Sequence, residues 1–576
     1  MINLCINAFH DASITLMEDG KVIAHLLEER HKNMKHCTDP LISLSKVIDY
    51  VDHIDLVSFT HLFPEHYSPQ IYLTYLKHLS AVKVPTQCPQ FMDVRGHLQH
   101  TCHHDLHAIC AFRNSGFEDA AIVILDGAGS THWYGKENQT IYEVFDGSVT
   151  TLEKTICGRG TYEEPTEKVL IAGQGVFDPN EQELPEYIQE IANVGAGFAY
   201  SAITEWLGWH GLDCGKTMGL STYGRNNCNI PCLLEPIQGG NVNFLPITMG
   251  TRGITQATLL LGEFDDLKDD QQFRADLAYR IQKDYESYLI ATCERALSKS
   301  RSKNLVLSGG CALNCVGNYK YLKDIDCNLF VEPISHDAGV SIGMAMYEWR
   351  NHVGSMEINP LRDLYLGPSR NHDVPLDAQP TTANEVIDII QNGKAVAIFQ
   401  GRSEQGPRSL GNRSLLFDPT IADAKDIVNR LKGREPFRPF AGTILLEHAH
   451  EWFDMRGMKD SPYMMYAVEV LDGKKDIIPS LVHDNTCRIQ TLTREQNESY
   501  YDLIDEFYKR TGVPILLNTS FNLSGDTIAE TIDDAIITLK KSEIEYLYLP
   551  ECAKLLHVNT NTNVNTKGTI DYRRYR

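Results

Sequence analysis

The chain has 576 residues, 42% of them hydrophobic and 22% charged, with a formal net charge of −23. That length exceeds what one hydrophobic core fills, so two or more domains are expected, in a protein of ordinary globular composition. The acidic balance argues against a global electrostatic grip on nucleic acid and leaves room only for a local basic groove or for small anions.

The opening MINLCINAFHDAS lacks the basic and apolar regions of a signal peptide, and no apolar run approaches membrane-spanning length, so a cytoplasmic protein is expected. The 15 cysteines are odd in number and scattered. None has CxxC spacing, the nearest pairs being Cys228/Cys232 and Cys311/Cys315. Buried free thiols are the reading, and a zinc ribbon is disfavoured.

In chain order, Ile2–Asn7, His10–Met17 and Lys21–Leu27 read as three strands with a turn at Glu18-Asp19-Gly20. Leu41–Val51 reads as helical. The stretch His103–Asp126 organises the rest of the chain. His103 and His107 are four apart in a helical segment that stops at Gly116, which stacks both imidazoles on one face. The apolar run Ala120–Leu125 reads as a buried strand delivering Asp126 into DGAGS. Two histidines and a strand-end carboxylate suit one divalent cation with positions left open for substrate oxygens.

After Asp126 the strand plan recurs as Ile122–Leu125, Thr131–Tyr134 and Ile141–Phe145, so an internally duplicated α/β domain is expected. Residues 160–190 read as an exposed insertion. Phe198–Leu207, behind Gly195 and Gly197, reads as an amphipathic helix. Gly215-Lys216-Thr217 is not a phosphate loop, because His210 stands where its upstream glycine is needed. A helix from about Phe273 to Ser298 leads to strand Asn304–Leu307 and the paired Gly309 and Gly310, a place for tight packing or for a nucleotide. Strand Leu329–Pro333 then brings Asp337, a second strand-end carboxylate. A metal is expected at His103, His107, Asp126 and Asp337, beside a nucleotide held between the duplicated halves.

Prolines 360, 368, 375 and 380 mark a boundary. The domains expected are 1–355, a linker at 356–380, a second domain at 381–557 and a polar, basic tail at 558–576. The second domain opens with helix Ala383–Asn392 and strand Ala395–Phe399. It carries Arg402, Arg408 and Arg413, then Lys432, Arg434 and Arg438, then Arg488 and Asn518–Asn522. Guanidinium groups among Gly, Ser and Asn suit a phosphate or carbamoyl phosphate pocket.

At these motifs the chain resembles the O-carbamoyltransferases of the nodulation-factor, cephalosporin and aminoglycoside type. The strings are NAFHDAS, EERHKNMKH, HHDLHA, DGAGS, GKTMGLSTYG, SGGCALN and HDAGVSIGMA, then GPRSLGNRSLLFDP, REPFRPFA and PILLNTSFNLSGD. The resemblance implies an α/β protein: a duplicated ASKHA (actin/sugar-kinase-like, TsaD-like) domain followed by a YrdC-like domain. It implies carbamoyl phosphate cleavage among Arg402, Arg408, Lys432, Arg438, Arg488, Asn518 and Ser520. Carbamate and ATP would give carbamoyl-adenylate and pyrophosphate, and an acceptor hydroxyl would attack that adenylate. Gly309, Gly310 and Asn314, with Gly127, Gly129 and Gly195, would line the nucleotide, and the metal would be iron or Mg/Mn. His10 and Lys35 would face the carbamoyl group, His10 orienting or deprotonating the acceptor and Lys35 neutralising charge. Ser130 stands where many relatives carry Glu, a departure expected to bear on acceptor binding, and Gly442 where they carry Pro, a structural one.

A tRNA threonylcarbamoyl system shares both domain types but needs a base-reading basic surface. A hydrogenase-maturation enzyme would carry paired CxxC fingers. A non-catalytic nucleotide-binding regulator leaves the arginine clusters unexplained. The acceptor stays open between a sugar or natural-product hydroxyl and, since the wording resembles a low-GC bacterial or viral genome, a hydroxymethylpyrimidine of viral DNA. For such DNA the 160–190 insertion, the 222–260 segment or the tail would form the groove. A homodimer is an open alternative; no membrane partner is expected.

Overall fold

The computed structural model describes residues 1–60, 74–75, 77–79, 81–84, 90–91, 102–132, 135–157, 169–171, 175–177, 188–191, 195–235, 249–250, 253–254, 262–354, 359–361, 363–368 and 374–558. Most of the 160–190 insertion, much of the 222–260 segment and the tail beyond 558 therefore lie outside the described residues. Among the described residues no helix is long and apolar enough to cross a membrane. The cysteines described there are free and mostly buried, Cys228 being exposed.

The chain forms two compact units. Unit 1 comprises Met1–Phe9, Met17–Lys21 and Val51–Pro360; unit 2 comprises His10–Leu16, Val22–Tyr50 and Leu361–Arg576. The division after Pro360 lies inside the proline-marked segment. Two N-terminal segments expected in the first domain cluster instead with the second unit. Their backbone is bonded there: the His25 amide donates to the Leu366 carbonyl at 3.1 Å and the Leu27 amide to Gln405 Oε1 at 3.1 Å.

Both expected copies of the strand plan are present. The first sheet contains β1 (Ile2–Asn7), β2 (Ser13–Glu18), β3 (Lys21–Leu27), β4 (Leu56–Thr60) and β5 (Gln90–Phe91), in the order β3-β2-β1-β4-β5. The second contains β6 (Ala120–Leu125), β7 (Gly135–Phe145), β8 (Ser148–Cys157), β9 (Asn304–Ser308) and β10 (Asn328–Val331). Five of its seven strands, in the order β8-β7-β6-β9-β10, repeat the first, with Ile188–Ile191 at the edge beyond β8 and Thr131–His132 paired to β7. One detail differs from expectation. Strand Thr131–His132 is present and pairs with β7, and Ile141–Phe145 is the second half of β7, but that strand starts earlier, at Gly135, and forms a long hairpin with β8 that turns at Asp146 and Gly147 with φ of 50° and 70°. An Asp-Gly pair in the left-handed region matches strand twist, whereas the polar Lys136–Gln139 stretch disguises the strand before it.

Helix α1 (His103–Ser115) covers β6. Ala108, Ala111 and Phe112 of α1 pack with Ile122 and Ile124 of β6 and Val306 of β9 in one buried cluster. The alanines let the helix approach the sheet, which fixes the height of the histidines above it. Along the chain follow α2 (Ala196–Trp206), α3 (Gln271–Lys299), α4 (Cys315–Asp324) and α5 (Val340–Val353). Helices α1 and α5 meet at Gly343, where a Cβ would stand 2.0 Å from the Leu106 carbonyl oxygen. The small residues after Asp337 are thus needed for close helix contact.

Unit 2 is built on one large mixed sheet. Its labelled strands are β11 (Val396–Phe399), β12 (Arg413–Phe417), β13 (Ala441–Leu445), β14 (Ala467–Val470), β15 (Thr486–Leu492), β16 (Ile515–Ser520), β17 (Tyr546–Leu549) and β18 (Lys554–His557). They run in the order β18-β17-β11-β12-β16-β13-β15-β14, with Gln379–Pro380 and Phe453–Asp454 at the edges. Register places Asn518 of β16 opposite Ala441 of β13, and Ala441 opposite Arg488 of β15. Helix α6 (Ala424–Lys432) ends at Gly433, in the left-handed region, and presents Lys432 in its last turn.

Candidate metal centre and basic pocket

Helix α1 is capped at its start by Cys102, whose amide donates to Asp105 Oδ2 at 2.8 Å, and at its end by Gly116 with φ 71°. The helical repeat then brings His103 and His107, one turn apart, together. Their Nε2 atoms are 3.1 Å apart. Asp126, at the end of β6, places Oδ2 3.3 Å from His103 Nε2 and 3.9 Å from that of His107. Asp337 places Oδ1 3.4 and 3.6 Å from the same two nitrogens. The four donor atoms all lie within 4.8 Å of one another.

The four side chains are almost wholly buried. Burial opposes a charged His103, yet the Asp337 carboxylate and the hydrogen bonds with Asp126 and Asp337 push it up to about 10. Burial and Asp337 oppose ionisation of Asp126, but its partnership with His103 holds it below the usual carboxylate range. The other oxygen of Asp126 is occupied by the Gly127 amide at 2.7 Å and the Gly310 amide at 3.4 Å, which turns Oδ2 toward the histidines. Two imidazole nitrogens and two carboxylate oxygens converging in a buried place fit a divalent cation of the transition series.

The flanking glycines have a packing reason of their own. Gly309 has φ 89°, and a Cβ there would lie 2.2 Å from the Leu125 carbonyl oxygen. At Gly129 a Cβ would meet Glu137 at 2.6 Å, and at Gly195 it would meet Asn138 at 2.7 Å. Gly127 is looser, against the Phe198 ring at 3.3 Å. At Gly310 a Cβ would meet Asp126 Oδ1 at 3.2 Å, close to the carboxylate oxygen that its amide bonds. Asn314 caps α4, accepting the Gly317 amide at 3.0 Å, and exchanges amide hydrogen bonds with Gln282. Ser130 is fully buried and accepts the His103 amide at 3.0 Å. It anchors the helix that carries the histidines.

In unit 2 the arginines divide by role. Arg402 spends Nε on the Gly367 carbonyl at 2.7 Å and Nη2 on those of Ile23 and Leu366 at 2.9 and 2.6 Å. It pins a loop, and little of its fork is left for phosphate. Arg413 is likewise buried against backbone carbonyls, beneath the Phe399 ring. Lys432 lies in a separate group of basic residues. Lys432 Nζ donates to the carbonyls of Ser520 and Asn522 and to Asn522 Oδ1, the last at 3.0 Å. Burial, with the charges of Arg434, Arg438 and Lys35, holds Lys432 well below the usual lysine range. Burial, Arg438 and Arg488 do the same to Arg434.

The Arg488 Nε is buried without a hydrogen-bond partner, as is Asn518 Oδ1. The Asn518 amide nitrogen is fixed by Ser409, Thr443 and Gln490. Arg408 is half-buried in the turn before β12. Arg438 bonds Glu435 at 3.5 Å. Arg434 and Asn522 belong to this group although the expected pocket omitted both; Arg434 was visible as the middle member of the Lys432–Arg438 cluster. Gly442, at the β13 centre, has Leu481 at 2.9 Å from where a Cβ would stand, a packing constraint.

His10 and Lys35 both fall in unit 2. The Asp11 carboxylate joins two imidazoles, His10 Nδ1 at 3.3 Å and His36 Nδ1 at 2.9 Å. Burial opposes the charged His36, and the Asp11 hydrogen bond raises it. Lys35 is exposed, and its charge bears on Lys432.

Comparison with known proteins gives two family matches, the carbamoyltransferase N-terminus over residues 62–346 and the carbamoyltransferase C-terminus over 387–554. Nodulation protein NolNO of Sinorhizobium fredii is 29% identical, the match covering 93% of this chain and 78% of that protein. Nodulation protein NolO of Bradyrhizobium diazoefficiens is 30% identical over 77% of each. Among solved structures, T. kodakarensis HypF matches with a TM-score of 0.34 and 15% identity, over 61% of this chain and 48% of that one. That match spans about half of HypF and establishes nothing about activity.

Proposed function

Because this chain belongs to the carbamoyltransferase family, we propose that it is an O-carbamoyltransferase fed by carbamoyl phosphate and ATP. In the first reaction carbamoyl phosphate is hydrolysed in unit 2 to carbamate and phosphate. Carbamate then attacks the α-phosphorus of ATP, giving carbamoyl-adenylate and releasing pyrophosphate. In the last step an acceptor hydroxyl adds to the carbamoyl carbon, AMP leaves, and the hydroxyl proton passes to a base.

The observation that carries this reading is the cluster of like charges in unit 2. Lys432 is buried and Arg434, Arg438 and Arg488 around it are half-buried, and desolvation and mutual repulsion disfavour the charged forms of Lys432 and Arg434. A phosphate dianion relieves that repulsion and supplies acceptors for Arg488 Nε. Asn518 Oδ1, an acceptor, suits the amide of a carbamoyl group. Arg408, Arg438 and Ser520 complete the polar wall.

His103, His107, Asp126 and Asp337 would hold a divalent cation, which supplies Lewis-acid polarisation of substrate oxygens when bound. The imidazole pair favours iron over magnesium. Gly309, Gly310 and Asn314 would line the nucleotide, while the Gly127 and Gly310 amides hold Asp126 Oδ1. His10, whose Nδ1 is engaged by Asp11, would orient or deprotonate the acceptor hydroxyl. Lys35 neutralises developing charge. The acidic chain favours a small sugar or natural-product hydroxyl over DNA.

The test supplies the full chain with carbamoyl phosphate, ATP, iron(II) and a panel of sugars beside hydroxymethylcytosine DNA, read by mass spectrometry. A carbamoyl mass gain on a small-molecule hydroxyl supports the reading. A gain on the DNA alone replaces the acceptor class. No pyrophosphate release overturns the mechanism.

A further inference from the structure

We infer that Glu137, tied to Lys154, is a positioning residue that sets the distance between Asp126 and the His103/His107 pair. The inference rests on the reading of those residues as a metal site.

Every helix starts with amides that lack an intrahelical acceptor. At the start of α1 they are taken by one connected device. The His103 amide donates to Ser130 Oγ at 3.0 Å, and the His104 amide to Glu137 Oε1 at 3.3 Å. The same Oε1 accepts the Ser130 amide at 2.9 Å. Backbone bonds lock the two residues further: the Gly129 amide donates to the Glu137 carbonyl at 2.7 Å and the Glu137 amide to the Ser130 carbonyl at 3.1 Å. One carboxylate thus bonds both the loop that carries Asp126 and the helix that carries both histidines.

The remaining oxygen, Oε2, receives Lys154 Nζ at 2.7 Å. Glu137 is fully buried and Lys154 nearly so. A buried ion pair gains little net stability over an apolar pair of the same size, because both charges lose their hydration. This one has a positional result: Lys154 fixes the orientation of the carboxylate and neutralises it, so that no stray charge is added next to the cation site. The irregular register between Glu137 and Gln139 in β7 is the local kink that accompanies the side chain's placement. Gly129 leaves no slack, since even a Cβ would lie 2.6 Å from the Glu137 side chain.

Metal ligands tolerate displacements of only a few tenths of an ångström, and residues that orient them change affinity by about 10–100-fold. Glu137→Gln cannot serve both sides. If its oxygen faces Lys154, its NH2 opposes the amides of Ser130 and His104. The double variant Glu137→Gln/Lys154→Met removes that conflict, because the amide oxygen turns to the two backbone donors.

The experiment is calorimetric titration of the full-length apo protein with iron(II) under anaerobic conditions, paired with melting curves. Glu137→Gln is expected to lose about 10–100-fold in affinity, and the double variant to recover most of it. Val144→Ala, in the core beneath α1, is the control: it lowers the melting temperature without weakening iron binding. Unchanged iron affinity in Glu137→Gln overturns the inference while leaving the metal site standing. Equal weakening in Val144→Ala also overturns it, since the role is then only structural. No iron binding by the unaltered protein overturns the metal reading and this inference together. If Glu137→Gln does not fold, Lys154→Met removes the partner that orients the Glu137 carboxylate, and iron affinity equal to the unaltered protein's overturns the inference.

Discussion

The Nε2 atoms of His103 and His107 lie 3.1 Å apart, and an oxygen of Asp126 and one of Asp337 each lie within 3.9 Å of both. Two ring nitrogens this close need a proton or a cation between them. In the metal-free chain a proton on His103 fills that need, and a cation replaces it. His107→Ala should therefore abolish stoichiometric metal. Elemental analysis and a thermal shift check it: added iron(II) should raise the melting temperature of the unaltered protein by mass action and leave that of His107→Ala unmoved.

Lys432 has its ammonium within a ring of oxygens from Ser520 and Asn522 and faces repulsion from Arg434, Arg438 and Lys35. Lys432→Met should lower phosphate release from carbamoyl phosphate by at least about 100-fold, the loss expected for removing one buried donor to a developing anion. Iron content should stay unchanged, because the metal ligands lie in unit 1. Release at the original rate would remove Lys432 from the pocket.

Arg402 separates packing from recognition. Its donors are spent on three carbonyls, so Arg402→Ala should destabilise unit 2 by about 1–3 kcal/mol with KM for carbamoyl phosphate little altered. Arg488→Ala should do the reverse, raising KM with a small change in stability. Denaturant melts and initial rates on both variants distinguish the two.

Gly309 combines a left-handed φ of 89° with a Cβ position 2.2 Å from the Leu125 carbonyl oxygen. Gly309→Ala should cost at least about 2 kcal/mol, since strain of about 1–3 kcal/mol is compounded by the clash. Urea unfolding without nucleotide is the measurement. A loss of ATP affinity at unchanged stability would show that the glycine exists for the nucleotide and not for the strand beneath it.

Glu332 gives the pH prediction. It lies at the end of β10, accepts the Asn114 amide at 3.0 Å and the Ile334 amide at 3.1 Å, and burial raises it to about 7. A carboxyl raised above its unfolded value of 4.5 contributes stability that is full below pH 4.5 and is lost as pH rises through about 7. The loss is on the order of 3 kcal/mol. Melts at pH 6 and pH 8 should therefore diverge for the unaltered protein and come closer together for Glu332→Gln.

Much of this was legible in the sequence, for physical reasons. The i, i+4 histidines need no more than helical geometry to converge, and a carboxylate at the end of an apolar strand is aimed by the strand. Both lie in segments whose pattern names the element. Glu137 and Lys154 were invisible for the opposite reason. They are charged residues inside strands, and their value comes from burial beside a helix start that only the folded chain supplies. The arginines show the same limit. Arg402 and Arg488 look alike in a Gly- and Ser-rich loop and a strand, but one meets three carbonyls and the other keeps a buried nitrogen without a partner. Composition counts donors; only the backbone's path decides where they are spent.

Pyrophosphate release from ATP, measured with and without carbamoyl phosphate, separates carbamoyl-adenylate formation from simple ATP hydrolysis. Release should require carbamoyl phosphate and be lost in Lys432→Met. ATP turnover indifferent to carbamoyl phosphate, or none with both present, would contradict carbamoyl-adenylate formation.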